Sequence, residues 1–239
     1  MNFTIVIPTF KRIEKLDRCI ESILQQTHQD FYIYVLADNF DFATTNHVND
    51  RYNSKFVTAY TMQDHCYVMG CWNWFTLNHF DEIQDAMVWI VDDVQLYPDC
   101  LDKLNQAWEE HFGESRDGVL GIHQVCPGNP NYTYKPYGQV ALGKTFISRY
   151  PNNMVCCPNY THFYQDEEMW EFAKSLGKFH ETTATLNHYH PAFIKDEMDE
   201  THSIPRGETH SKDTDMHRRR QINKLIWGKS FQLLGGKRP

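Results

Sequence analysis

A strand–helix–strand unit at the start of this chain most restricts how it can fold. Phe3-Thr-Ile-Val-Ile7 is an apolar run stopped by Pro8, and Phe31 to Ala37 is a second apolar run. Between them Ile13, Leu16, Ile20, Ile23 and Leu24 recur at helical spacing, which predicts an amphipathic helix over residues 12–26. Strand, helix and strand within about 35 residues form a βαβ unit, with parallel strands and a right-handed crossover. The alternation continues. A polar helix is expected over 41–52, a weaker strand over Lys55 to Tyr60, and a helix over Gly70 to Phe80 packed through Trp72, Trp74 and Phe75. A strand at Val88 to Val91 and a helix from Pro98 to about His111 follow. This pattern predicts an α/β fold, a single doubly wound, mostly parallel sheet with helices on both faces.

The second half is less regular. Val119 to Val125 and His180 to His188 read as strands, and Glu167 to Leu176 as a helix with Gly177 past its end. Residues 126–138 mix Pro, Gly and Tyr and read as a long loop. Residues 196–215 hold seven acids against two basic residues with little apolar content, the composition of a flap. Residues 217–239 hold seven Lys or Arg and no acid, with Ile222, Leu225 and Ile226 expected to pin a short helix. No repeat or linker divides the chain.

With 239 residues, 41% of them hydrophobic, the chain can build one sizeable core. A net charge of -8 argues against general attraction to nucleic acid or anionic membrane. Seven Cys, an odd number with no Cys-x-x-Cys, argue against a disulfide framework or zinc ribbon and for a reducing compartment. The apolar run at Phe3 is too short for a signal segment, and no run approaches the roughly 20 residues of a membrane helix. A soluble protein of the cytoplasm is expected, of a host cytoplasm if the source is viral.

Val88 to Val91 lacks polar alternation, as a strand buried on both faces does, and it ends at Asp92 and Asp93. Asp38 likewise ends the second strand. In an open α/β sheet, ligands collect beyond the carboxyl ends of the strands. Two adjacent carboxylates there repel each other and lose hydration unless a cation or hydrogen-bond donors compensate. A hard divalent metal suits them and also grips phosphate. One acid for base or ribose and a pair with its cation for pyrophosphate would suit a nucleotide. Asp38 also suits a plain turn with Asn39. Neither Gly-x-Gly-x-x-Gly nor Gly-x-x-x-x-Gly-Lys-Ser/Thr occurs, so phosphate binding by a glycine-rich loop is disfavoured.

Ile5-Val-Ile-Pro-Thr-Phe-Lys-Arg12, Gln25-Gln-Thr27, Asp30-Phe31 and Val35-Leu-Ala-Asp-Asn39 together resemble the opening of family 2 glycosyltransferases of the GT-A fold. Asp92-Asp-Val-Gln-Leu-Tyr-Pro-Asp-Cys-Leu101 is similar to their acidic metal motif and the helix after it. The likeness is strong over 3–105 and looser over 118–220. It implies one GT-A domain over 1–239, with a nucleotide-binding half (1–115), an acceptor half (116–195) and a C-terminal flap and basic tail (196–239). It further implies metal-dependent transfer of a sugar from a nucleoside diphosphate sugar, UDP-linked, to an acceptor hydroxyl with inversion. The acceptor would be a glycan or a modified DNA base, and the metal Mn²⁺ or Mg²⁺. Carried onto this chain, Pro8 and Thr9 border the nucleotide pocket, with Lys11 or Arg12 approaching it. Asp38 meets the base, Asp92 the ribose or sugar, and Asp93 the metal. Many members carry one more Asp two residues before the pair, where this chain has Ile90.

Gln165-Asp-Glu-Glu-Met-Trp170 resembles the family's late acidic motif. Inverting transfer needs a carboxylate to take the acceptor's proton, and Asp166 is the first candidate, Glu167 the second. Acids in a first helical turn are also stabilised by the helix dipole alone. In Asn187-His-Tyr-His-Pro191, alternate residues of a strand share a face, so His188 and His190 can meet one site and complete the metal shell that Ile90 leaves short. His162, His202 and His210 are weaker versions of that idea. Asn73 is a candidate sugar contact in Gly70-Cys-Trp-Asn-Trp74. Gly143-Lys-Thr145 falls where the family closes over the donor, and Tyr132, Tyr134 and Tyr137 are candidates to stack on rings. Arg218, with Arg219 and Arg220, would neutralise the leaving phosphate, form a solvated basic helix, or hold DNA. The rival readings are a nucleotidyltransferase of related fold, which lacks its glycine-rich signature here, and a non-catalytic nucleotide- or nucleic-acid-binding module, for which Ile90 is the hint.

Overall fold

A computed structural model describes residues 1–52, 55–129, 131–132, 134–191, 194 and 209–229. The first half alternates β1 (Phe3–Thr9), α1 (Ile13–Leu24), β2 (Phe31–Ala37), α2 (Phe42–Arg51), β3 (Val57–Thr61), α3 (Tyr67–Asn78) and β4 (Ala86–Trp89). It continues with β5 (Val94–Leu96) and α4 (Cys100–Phe112). The second half adds β6 (Val119–Val125), β7 (Val140–Gly143), α5 (Lys144–Ile147), α6 (Gln165–Ser175), β8 (Phe179–His188) and α7 (His210–Ile222).

All eight strands form one sheet in the order β3-β2-β1-β4-β7-β6-β8-β5. The pairs β1–β2, β1–β4, β2–β3 and β6–β8 are parallel, while β7 runs antiparallel to both β4 and β6, and β5 antiparallel to β8. Strand periodicity divides the core. Phe3, Ile5 and Ile7 enter one apolar layer with Leu16 and Ile20 of α1 and Leu104 and Trp108 of α4. Val6 enters the opposite layer with Trp72 and Phe75 of α3 and Met169 and Phe172 of α6. Helices therefore cover both faces of a mixed, mostly parallel sheet, as the alternation predicts.

Two strands escape the sequence reading. The stretch after Asp93, given no strand, holds β5, and β7 follows shortly after the Pro- and Tyr-rich segment. Three or four residues span at most two strand periods, too few for alternation to register. β5 matters for the site. The chain leaves β4 near the middle of the sheet, passes over the ends of β7, β6 and β8, and pairs at the far edge, where Val94 faces His188. The expected strand also ends early. Ile90 N still reaches Val6 O at 3.4 Å, but Val91 N donates to the Gln139 side chain at 3.1 Å instead of a neighbouring strand.

Two placements correct expectations. Gly143 ends β7, and Lys144 N donates to Asp85 O just before β4, so Gly143-Lys-Thr145 lies at the sheet edge opposite Asp92. Of the expected flap, 209–215 belongs largely to α7, with Asp213 buried, while 196–208, His202 among them, falls outside the described residues. The short helix expected within 217–239, pinned by Ile222, Leu225 and Ile226, is instead the end of α7, which stops at Ile222, itself 72% exposed, while Leu225 and Trp227 are buried beyond it. The tail from 230 onward is likewise outside the described residues. Among the described residues no helix is long and apolar enough to cross a membrane. All seven cysteines are unpaired thiols.

Candidate active site

A cavity of about 540 Å³ opens at the carboxyl ends of β1, β2 and β4 and is closed by the end of β8 and the start of α6. Its walls include Pro8, Thr9, Arg12, Asp38, Asp92, Asp93, Asp166, His188 and His190. The topology explains the meeting, because parallel strands bring Thr9, Asp38 and the acid pair to one edge.

The acid pair is compensated by donors from β1 and the turn after it. Thr9 Oγ1 donates to Asp92 Oδ2 at 2.7 Å. Arg12, at the N-terminal boundary of α1, spans both acids, with Nη1 2.5 Å from Asp92 Oδ1 and Nη2 3.2 Å from Asp93 Oδ2. Its side chain is only 10% exposed. One guanidinium thus bridges two carboxylates.

The register of β5 on β8 brings in the histidine. His188 Nε2 lies 3.4 Å from Asp93 Oδ1, and its Nδ1 lies 2.9 Å from Gln124 Oε1. Gln124 Nε2 donates to Lys135 O at 3.0 Å, so its oxygen faces the histidine and Nδ1 must carry the hydrogen. In the neutral ring, Nε2 then presents its lone pair beside Asp93, the orientation a metal ligand needs. His190 lines the same cavity, its ring centroid 5.4 Å from that of His188. A carboxylate oxygen and an imidazole nitrogen suit Mn²⁺ or Mg²⁺, Mn²⁺ the better of the two. Among the described residues no three His, Cys, Asp or Glu gather about one point. The donor set therefore fits a metal held partly by the chain and completed by phosphate and water. Ile90 is fully buried in the layer under α1 and α4, where a carboxylate would be stranded in apolar surroundings.

Asp38 has a second occupation. Its carboxylate accepts from the amides of Asn39 (3.0 Å), Cys66 (2.7 Å) and Tyr67 (3.1 Å), and His65 Nδ1 lies 2.6 Å away. It therefore forms the expected turn with Asn39 and also serves as the anion at the start of α3. Four donors match the four acceptor positions of a carboxylate. His65, Phe10 and Tyr67 stand beside Asp38 on the cavity wall.

Asp166 begins α6 and faces the cavity. Burial, reinforced by the neighbouring charge of Glu167, pushes its carboxyl up to about 6. Glu167 points elsewhere. Its carboxylate lies 3.3 Å from His217 Nε2, and that contact holds it below the usual carboxylate range. Two adjacent acids thus have environments that drive their proton affinities apart, as an acid–base assignment requires.

Four sequence candidates stand away from the cavity. Lys11 has φ of 54°, donates its amide to Asp41 at 2.6 Å and lays its ammonium over Phe10. Asn73 braces α3 to the segment before α6, donating to Cys156 O at 2.9 Å and accepting from Cys156 N at 2.7 Å. Glu167 is turned to His217. Arg218 is 73% exposed beside Asp215, whereas its neighbour Arg220 is fully buried. Arg218 thus stands in solvent, and Arg220 is buried against Glu168. Conversely, the cavity is lined by His65, Gln124, Lys135, Gln139 and Tyr164, which the sequence reading passed over. Nothing local marks them. Only Lys135, a cation among the loop tyrosines, offered a signal. Of the residues weighed only lightly, His162, Tyr132 and Tyr134 line the cavity, Tyr134 stacking on His188 with centroids 4.7 Å apart.

Residues 4–57 match the sequence model of Glycosyl transferase family 2. No curated protein sequence matches the chain. Among solved structures, S. aureus TarS 1–349 resembles it with a TM-score of 0.64 at 11% identity, over 84% of this chain and 68% of that one. The same fragment in complex with UDP gives a TM-score of 0.61 over the same shares, and in complex with UDP-GlcNAc 0.59 over 78% and 56%, both at 11% identity. At that identity the likeness speaks for the fold. The family signature thus lies on the first strand–helix–strand unit, and a GT-A fold like that of TarS extends over most of the chain.

Proposed function

We propose that the chain transfers a sugar from a UDP-linked donor to the hydroxyl of a glycan acceptor, with inversion, assisted by Mn²⁺ or Mg²⁺. The observation that carries this reading is the group at one cavity wall: two acids, one bridging guanidinium and a histidine whose Nε2 faces Asp93, with a high-affinity proton acceptor, Asp166, bordering the same space. UDP is the nucleotide bound in one of the structural neighbours, and UDP-GlcNAc the donor bound in another.

On this reading, Phe10, His65 and Tyr67 flank the base, and Asp92 meets ribose or sugar hydroxyls. Asp93 and His188 would hold the metal, which supplies Lewis-acid stabilisation of the leaving diphosphate. Arg12 and Lys135 add fixed positive charge on the same wall, where it favours the growing negative charge of the leaving group. Asp166, ionised above about pH 6, takes the proton of the acceptor hydroxyl as that oxygen attacks the anomeric carbon. The new carbon–oxygen bond forms on the face opposite the bond that breaks, and UDP departs. Tyr132, Tyr134 and His162 offer ring faces to an acceptor sugar. Unpaired thiols agree with a reducing compartment such as the cytoplasm.

Thermal shift with UDP, UDP-GlcNAc, GDP and DNA, each with and without Mn²⁺, tests the reading. Stabilisation by UDP and UDP-GlcNAc that grows when Mn²⁺ is present is expected, about 2.7 kcal/mol at 100 times Kd, with UDP released on incubation. Stabilisation by DNA alone, or by no nucleotide, would overturn it.

A further inference from the structure

Helix α7 contributes nothing to the cavity lining, yet it grips one whole wall. Asp213, 1% exposed, points from α7 into the turn that precedes α6. Its carboxylate accepts from three successive amides: Thr161 N at 3.0 Å through Oδ1 and 3.2 Å through Oδ2, His162 N at 2.7 Å and Phe163 N at 2.9 Å. Successive amides converging on one anion form a nest, and the charge makes each bond stronger than a neutral one. One residue on, Tyr164 has φ of 72°, the left-handed region that a bulky side chain rarely adopts. Its hydroxyl pairs with Thr214 at 2.8 Å and its ring stacks on His217 at 4.5 Å. The strained residue is thus held on both sides by α7. Asp166 follows two positions later, in the first turn of α6, and no side chain caps that helix start. The Asp166 carboxylate hydrogen-bonds to the backbone of its own first turn, and residues 161–164 lead the chain into that turn.

We propose that Asp213 is a positioning residue for the transfer reaction: by gathering the amides of 161–163 it shapes the turn that aims Asp166 at the acceptor hydroxyl. This rests on the reading of Asp166 as the base. Asp213 itself touches neither donor nor acceptor. Its effect is on kcat, because the donor wall at Thr9, Arg12 and Asp93 is built from other elements.

The test uses the full chain, with UDP release from UDP-GlcNAc in Mn²⁺ as the readout. Asp213→Asn keeps the volume but turns an amide group toward amide donors. We expect kcat to fall at least tenfold, the KM for UDP-GlcNAc to stay within twofold, and hydrogen exchange at the amides of 161–163 to quicken. Lys212→Ala, exposed on the same helix, should keep wild-type kcat. The decisive arm is the double variant: in an Asp166→Asn background, Asp213→Asn should lower kcat by less than twofold, since a residue acting through Asp166 has nothing left to aim. A further tenfold loss in that background would show a merely structural role and overturn the inference. Wild-type kcat in Asp213→Asn would overturn it too, while leaving Asp166 as base if Asp166→Asn retains only a small residual kcat. Wild-type kcat in Asp166→Asn would instead overturn the base assignment. If Asp213→Asn does not fold, Tyr164→Phe, which removes only the hydroxyl to Thr214, is expected to show the same kcat loss in smaller measure, and no loss there would count against the proposal.

Discussion

A buried arginine, Arg220, and a half-buried one, Arg12, both face carboxylates, and they are arranged differently. Arg220 lies flat against Glu168, Nε to Oε1 at 2.6 Å and Nη2 to Oε2 at 2.9 Å, with both side chains at or below 2% exposure. The same carboxylate also accepts from Tyr160 Oη at 2.6 Å and Trp227 N at 2.8 Å. Charge is balanced one to one, and every lone pair has a donor. Arg12 instead divides itself between Asp92 and Asp93, at unequal distances, beside an open cavity. There one guanidinium is shared by two carboxylates. A closed and balanced pair holds a fold, whereas an unbalanced pair at a cavity wall has affinity left over for a cation or for donor hydroxyls.

The comparison can be broken at either end, and the largest effect is expected at the closed pair. Arg220→Ala strands a buried carboxylate and should cost about 3–5 kcal/mol of stability, read by denaturant unfolding. A loss below about 1 kcal/mol would mean the pair is not closed. Asp93→Ala should leave the melting temperature nearly unchanged while cutting metal-dependent turnover about 100-fold or more. Near-normal turnover would remove Asp93 from the site. For Asp166, turnover should rise with pH through about 6 and then level off, since the base works only when ionised. Glu167→Gln removes the neighbouring charge that helps raise that carboxyl, so the inflection should move to lower pH. A profile flat from pH 4.5 to 7.5 would exclude Asp166 as the base. The smallest effect belongs to the peripheral pair Asp117–Arg149, with Nε to Oδ1 at 2.6 Å. The guanidinium holds Asp117 below its usual range, so the pair's contribution is full above about pH 4 and fades as pH falls through the depressed value. Asp117→Asn should cost about 1 kcal/mol at neutral pH and little in acid, by thermal melts at the two pH values.

The same contrast explains what periodicity could and could not reveal. α1 buries an apolar stripe, Leu16, Ile20 and Ile23, and is plain in the sequence. α7 buries Asp213, His217 and Arg220 while exposing Ile222. Those three polar residues sit at helical intervals of four and three, but a search for apolar spacing passes them by and fixes on Ile222 and Leu225 instead. A buried polar stripe is stable only because Glu168, Tyr160 and the amides of 161–163 meet it, and all of these lie about 50 residues earlier in the chain.

Local patterning settled the first strand–helix–strand unit, the two-faced sheet, and the placing of Asp38, Asp92 and Asp93 at strand ends. Strand and helix periods are properties of neighbouring residues, and parallel strands must present their carboxyl ends on one edge. Tertiary structure alone decided which side chains compensate those acids. Arg12 reaches them from 80 positions away, and His188 comes beside Asp93 only because three residues of β5 cross the sheet to pair with β8. It also decided that Arg220 and Asp213 hold the wall that carries Asp166 while Arg218 stays in water. Burial of a charge depends on partners gathered from distant parts of the chain, and no local pattern encodes them.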